Sequence, residues 1–260
     1  MAKTQEKTNT FPSEEVTLPS KGLLYPEGSP LRSGIIEMKY MTAREEDILT
    51  NQNLIKNGTV IDKLLESLIV TPIDFKDLLI GDKNAVLIAS RILGYGQDYS
   101  FTYNNPETNE DEIVTVDLTT AEDKMLDESL IKGDGINEFH FTLPSSNIDV
   151  TFKFLTHGDE LKIAQELKGL KKINKRNSSE LTTRMKYLIT SIKGDRESKT
   201  IREFIDGNFL AKDARALRTY ISSVMPDIDL TFDLNFEDGA IAEGVTIPIG
   251  ASFFWPESGV

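Results

Sequence analysis

Cysteine is absent, histidine occurs twice and tryptophan once in 260 residues. Without cysteine there is no disulfide framework and no thiolate metal site. His140 and His157 do not fall at a metal-ligand spacing; His140 reads as a strand-face residue and His157 as a helix-start residue. No uninterrupted apolar run is long enough to span a bilayer. The start, Met1-Ala2-Lys3-Thr4-Gln5-Glu6, leads into no apolar segment, so neither a membrane span nor a secretory leader is expected. The sequons at Asn57 and Asn177 then carry no expectation of glycosylation. Positive charge is also scarce, with 29 Lys and Arg against 42 Asp and Glu and a formal net charge of −13. Nucleic-acid binding depends on Lys and Arg against phosphate, so no nucleic-acid partner is expected. The acidity suits a soluble body, or an assembly component kept from premature association or matched to a basic partner.

Catalytic signatures are missing as well. Gly94-Tyr95-Gly96 has no third glycine and leaves a helix instead of opening one, so it is no dinucleotide loop. Ser20-Lys21-Gly22 lacks the glycine-rich run of a phosphate loop. The stretch from Asn104 to Glu112 is rich in oxygen ligands but lacks the residue order that fixes calcium, and reads as a solvated hairpin loop. Glu45-Glu46 sits in the first turn of a helix, and carboxylate pairs are too common in this chain to signal acid–base chemistry. No catalytic residue, metal ligand or cofactor is assigned, and the chain is expected not to be an enzyme.

What is present is repetition. Val16-Thr17-Leu18-Pro19-Ser20 returns as Phe141-Thr142-Leu143-Pro144-Ser145. Ile36-Glu37-Met38-Lys39-Tyr40-Met41-Thr42 returns as Val150-Thr151-Phe152-Lys153-Phe154-Leu155-Thr156. From Leu79 onward a constant register sets Leu79 over Leu210, Asp82 over Asp213, Ala85 over Ala216 and Phe101 over Phe232. A shared register across a helix and two strands implies an internal duplication.

The fold class expected is α+β, two tandem copies of a strand–strand–helices–strand–strand module with antiparallel sheets. Residues 1–15 read as a flexible arm, 16–118 as the first module, 119–138 as a linker and 139–260 as the second module. Strands are expected over 15–18 and 34–41, and over 139–143 and 148–155. Thr42 and Thr156, each followed three positions later by an acid, mark helix starts. Val60, Ile61, Leu64, Leu65, Leu68 and Ile69 form one helical face that stops before Pro72. Leu181, Met185, Leu188, Ile189 and Ile192 form its counterpart. The connection 170–180, with Lys171, Lys172, Lys175 and Arg176, reads as a solvated basic turn. Phe75 and Phe204 each precede a final helix, 82–93 or 213–224. Strands 99–103 with 113–118, and 230–235 with 245–254, close the two modules.

The first module carries an insertion that the second lacks, roughly Lys21 to Arg32. With Leu18-Pro19 ahead of it, this loop combines Pro and Gly punctuation with Leu23, Leu24 and Tyr25. Large apolar side chains are costly to leave in water, so they are buried either by a partner or by the loop folding back on its own sheet. The candidate partner-binding residues are Leu18, Pro19, Lys21, Leu23, Leu24 and Tyr25.

The stretch Leu18-Pro19-Ser20-Lys21-Gly22-Leu23-Leu24-Tyr25-Pro26, followed by Met41-Thr42-Ala43-Arg44-Glu45-Glu46-Asp47-Ile48-Leu49, resembles the baseplate hub and hub-assembly proteins of T-even-like contractile-tailed bacteriophages. The resemblance is sharpest over about residues 16–95. It implies a non-enzymatic structural subunit at or near the central hub, binding other hub and tail proteins. It also implies a place first in the host cytoplasm and then in the virion tail baseplate. A helix start like that at Thr42 is similar to those of phage tail-assembly chaperones, and so an assembly factor absent from the mature virion is the alternative.

Overall fold

The computed structural model describes residues 12–105, 109–131, 133–173, 179–236, 239–249 and 253–254. The fold is α+β, and among the described residues its strands form small antiparallel sheets of two or three. β1 (Ser13–Thr17) pairs with β2 (Ile35–Lys39), Val16 standing opposite Ile36. The alternation of β2 buries Ile36 and Met38 and leaves Ile35 in water, as period-two side chains on a half-buried strand require. Ser13 to Glu15 therefore belong to a strand. The expected arm does not extend over them, and residues 1–11 lie outside the described residues.

Between these strands the inserted loop folds into turns and a 3-10 segment, Pro30–Ser33. Two glycines let its limbs lie side by side. Gly22 and Gly34 have φ of 75° and 72°, the left-handed region that favours glycine. A Cβ on Gly22 would stand 2.4 Å from the Arg32 carbonyl oxygen, and one on Gly34 2.6 Å from the Lys21 carbonyl carbon.

The helices follow: α1 (Ala43–Leu49), α2 (Gln52–Asn57), α3 (Val60–Leu68) and the long α4 (Ile80–Tyr95). Leu64, Leu65 and Leu68 bury the apolar face of α3. After α3 the chain returns extended, and Ile69 bridges Met38 of β2. β3 (Asp98–Asn104) and β4 (Asp111–Asp117) then make a hairpin, with Phe101 opposite Val114.

The segment expected to be a plain linker has a structural task. β5 (Glu122–Lys124) pairs with β9 (Asp227–Asp229) near the other end of the chain, and Leu126 is buried. The second half begins with β6 (Phe139–Thr142) and β7 (Asp149–Phe152), Phe141 opposite Val150. α5 (His157–Ile173) runs on through Lys171 and Lys172, so these sit in its last turn, where cations suit the helix dipole. Lys175 and Arg176 lie outside the described residues. α6 (Glu180–Leu188) is shorter than the expected apolar face. Ile189 and Ile192 belong to β8 (Ile189–Ile192), which pairs with β7, while Leu181 faces solvent. Phe204 lies in α7 (Ser198–Gly207), a helix not foreseen. α8 (Ala211–Val224) follows, and then β10 (Thr231–Asn235) and β11 (Ile241–Thr246). β11 starts and stops earlier than expected, and Phe253 and Phe254 are buried beyond it.

One hydrophobic cluster runs through both halves. Leu79 bridges Thr156, with His157 N–H donating to Leu78 O at 2.7 Å and Ile80 N–H to Leu155 O at 3.0 Å. Gly81 brings α4 against the Pro226 carbonyl so closely that a Cβ would lie 1.8 Å from that oxygen. Asn84 donates to Asp227 at 2.9 Å. Tyr99 donates to Pro248 O at 2.9 Å, and its ring meets Phe253 edge-on at 4.9 Å.

Candidate interaction site

The inserted loop is anchored at the first turn of α4. Ser20 donates to Asp82 from its N–H at 2.9 Å and from its hydroxyl at 2.7 Å, and the Tyr25 phenol donates to the same carboxylate at 2.6 Å. The phenol oxygen in turn accepts the N–H of Leu79 at 2.9 Å. Ser20, Tyr25 and Asp82 are all buried. Burial raises the Asp82 carboxyl above its ordinary range, opposed by the donors on Tyr25 and Ser20. Burial, followed by the neighbouring Asp82 charge, raises the Tyr25 phenol further. The outer limb is pinned as well: Arg32 donates to Leu23 O at 2.8 Å and stands 3.1 Å from Asp134, while Gly135 N–H reaches Leu23 O at 3.1 Å.

This geometry decides where the six candidate residues lie. Leu18, Pro19, Leu24 and Tyr25 are buried in the chain's own interior, Leu23 is half-buried and Lys21 is exposed, 3.5 Å from Glu128. Of the two ways of burying Leu24 and Tyr25, the chain takes the second: the loop folds back on its own interior. The physical reason is that Asp82, buried at a helix start, needs donors, and Tyr25 supplies one together with a large ring.

The second half holds a corresponding arrangement without the tyrosine. Ser145 and Ser146 donate their N–H groups to Asp213 at 2.7 and 3.1 Å, in the first turn of α8. Burial works against the Asp213 charge, but these donors prevail and hold its carboxyl below the ordinary value.

A second pair of carboxylates sits at the helix starts. Glu45 accepts from Lys39 at 2.8 Å, from Thr42 N–H at 3.0 Å, from the Thr42 hydroxyl at 2.6 Å and from Ser67 at 2.9 Å. Burial raises its pKa, yet these donors bring it down to about 2. Asp159 accepts from Lys153 at 2.6 Å and from Thr156 N–H at 3.2 Å, and its own N–H donates to the Thr156 hydroxyl at 3.2 Å. The Thr signals thus mark both helix starts. The lysines three residues before the end of each repeated string, Lys39 and Lys153, are partners with no signal of their own in the sequence beyond their shared register.

Where the halves meet, Lys83 donates to Asp62 at 2.6 Å and lies 3.1 Å from His157 Nδ1, and Phe75 packs against the imidazole at 4.8 Å. Burial first, and the Lys83 charge second, lower the His157 pKa. His140 lies on β6 with half of its side chain exposed, 3.6 Å from Asp149. Among the described residues no three His, Cys, Asp or Glu side chains are placed to hold a metal ion, and no helix is long and apolar enough to cross a membrane. The buried carboxylates are engaged by the chain's own serines, threonines, lysines and tyrosine. Their chemistry is that of a framework.

The chain belongs to the T4 bacteriophage base plate protein family, whose model matches residues 13–255. That membership gives it a structural role in the phage tail baseplate, among other tail proteins. No curated protein and no solved structure matches the chain.

Proposed function

We propose that the chain is a non-catalytic subunit at or near the central hub of the baseplate, binding other hub and tail proteins as the baseplate forms. Made in the host cytoplasm, it then stays in the virion. The supporting observation is the family match across residues 13–255, taken with buried Glu45, Asp82, Asp159 and Asp213, each held by donors of this chain. Its body is two equivalent halves, 16–118 and 139–254. Ser20 stands to Asp82 as Ser145 stands to Asp213, and Lys39 to Glu45 as Lys153 to Asp159. The inserted loop offers a partner Lys21 and the open side of Leu23, while Leu18, Pro19, Leu24 and Tyr25 hold it in shape. Ile113 and Ile241, 69% and 60% exposed on the outer hairpins, add apolar contact area.

Quantitative mass spectrometry of purified mature virions, with cross-linking, tests this reading. Recovery of the chain cross-linked to hub proteins is expected. Recovery only from unfinished assemblies would make it an assembly factor and overturn a permanent place in the hub.

A further inference from the structure

The joint between the halves is built from unlike ends. The start of the long helix of the first half, Leu78-Leu79-Ile80, pairs with the helix start of the second, Leu155-Thr156-His157. In the register that sets Leu79 over Leu210 and Thr42 over Thr156, the other two such ends are Phe209-Leu210-Ala211 and Met41-Thr42-Ala43. Among the described residues no backbone hydrogen bond joins these two ends to each other. Their exposure follows: Leu79 is 2% exposed in the joint, and Leu210 is 49% exposed. Ala43 and Ala211 are exposed too, where His157 is buried. A head-to-tail contact between repeated units leaves one end of each kind open, and the open ends complement each other.

Charge points the same way. The outer face of α8 carries Lys212, Arg215 and Arg218, all exposed and without an ion pair among the described residues. Beside Met41-Thr42-Ala43, α1 exposes Glu46 and Asp47 against one cation, Arg44, and β3 begins with exposed Asp98, so this corner is acidic on balance. A Cβ on Gly94 would stand 2.9 Å from Met41 Cε, which sets Met41 against the last turn of α4, the end that leads into Asp98. We infer that the chain associates head to tail with a second copy, Phe209-Leu210-Ala211 of one laid against Met41-Thr42-Ala43 of the next, basic helix face toward acidic corner. This rests on the equivalence of the halves proposed above. Lys212 occupies the register position of Gly81, so the close approach of Gly81 to Pro226 cannot be repeated between copies. The contact between copies is thus more open than the internal joint, leans on charge, and weakens with salt.

Sedimentation equilibrium of the full chain tests it. At low salt the average mass should rise above 29.1 kDa with concentration, and fall back toward it at high salt. Leu210→Asp and Ala43→Lys, both at exposed positions, should each remain monomeric. An equimolar mixture of the two should form one-to-one dimers and nothing larger, because each variant keeps one working end. A wild-type chain that stays monomeric, variants that associate like wild type, or a mixture that does not pair would each overturn the proposal. Amide exchange in the Leu210→Asp monomer reads the internal joint separately. Slow Ile80 and His157 amides in a chain that never associates would overturn self-association alone. Fast exchange there would overturn the internal joint and the proposal built on it.

Discussion

Asp82 and Asp213 stand at the same register position in the first turns of α4 and α8, and both are fully buried. The second half meets Asp213 with two N–H groups from a short turn. The carboxyl is held below its ordinary range, as expected of a carboxylate that backbone donors stabilise. The first half has its inserted loop at this place. There the Tyr25 phenol closes over Asp82, desolvates it and shares a hydrogen bond with it, and the carboxyl is held above its ordinary range. The difference teaches that Leu24 and Tyr25 of the loop are interior material, while Lys21 stays at the surface. The insertion converts a compact charged contact into a sealed, hydrogen-bonded one.

The strongest way to break this contrast is Tyr25→Ala, which removes a buried ring and leaves Asp82 short of a donor. A loss of about 3–5 kcal/mol is expected in urea unfolding. Tyr25→Phe, which keeps the ring, should lose about 1–3 kcal/mol. An unchanged midpoint for Tyr25→Ala would show that the loop is not part of the interior.

Acid titration is the next test. The Glu45 carboxyl is lowered from 4.5 to about 2, so its contribution is fully present above pH 4.5 and is lost as pH falls toward 2. That contribution is on the order of 3 kcal/mol, and Glu45→Gln should flatten the acid limb of stability against pH. The two aspartates should move in opposite senses. The raised Asp82 carboxyl contributes most below its ordinary value of 3.8 and progressively less as pH rises through its folded value. The lowered Asp213 carboxyl contributes above 3.8 and loses its contribution as pH falls. Unfolding midpoints of Asp82→Asn and Asp213→Asn relative to wild type should therefore diverge with pH in opposite directions; parallel curves would erase the contrast.

Asp213→Ala, which leaves the Ser145 and Ser146 N–H groups unpaired, should cost about 1–3 kcal/mol. The smallest effects belong to the helix starts. Thr156→Ala and Thr42→Ala should each lower stability by about 1 kcal/mol. Thr156 accepts an N–H through its hydroxyl, and Thr42 donates its hydroxyl to Glu45. Glu45→Gln should accordingly change the Thr42→Ala cost, and leave the Thr156→Ala cost untouched.

Local signals were the legible ones. Strand alternation around Ile36 and Met38, the capping threonines and the apolar face of α3 each reside in a few neighbouring residues, and the structure shows all three. β8 was not legible because Leu188, Ile189 and Ile192 also fit helical spacing. What makes 189–192 a strand is the edge of β7, far away in sequence. The pairing of β5 with β9 is hidden for the same reason, since Glu122-Asp123-Lys124 carries no apolar alternation. In the site, Ser20 and Asp82 each stand in the repeat, yet nothing in spacing joins them. Only the fold carries Tyr25 to the start of α4.

The packing of Phe253 on Tyr99 has a consequence for how the chain is made. A ribosome delivers Tyr99 long before Phe253, and β5 long before β9. The first half therefore emerges with part of its interior bare and cannot close around Tyr99 until Phe253 has been made. Such contacts between distant parts of a chain slow folding and leave the nascent first half open to wrong partners. Phe253→Ala, which takes its ring away from Tyr99, leaves that face of the hairpin less covered.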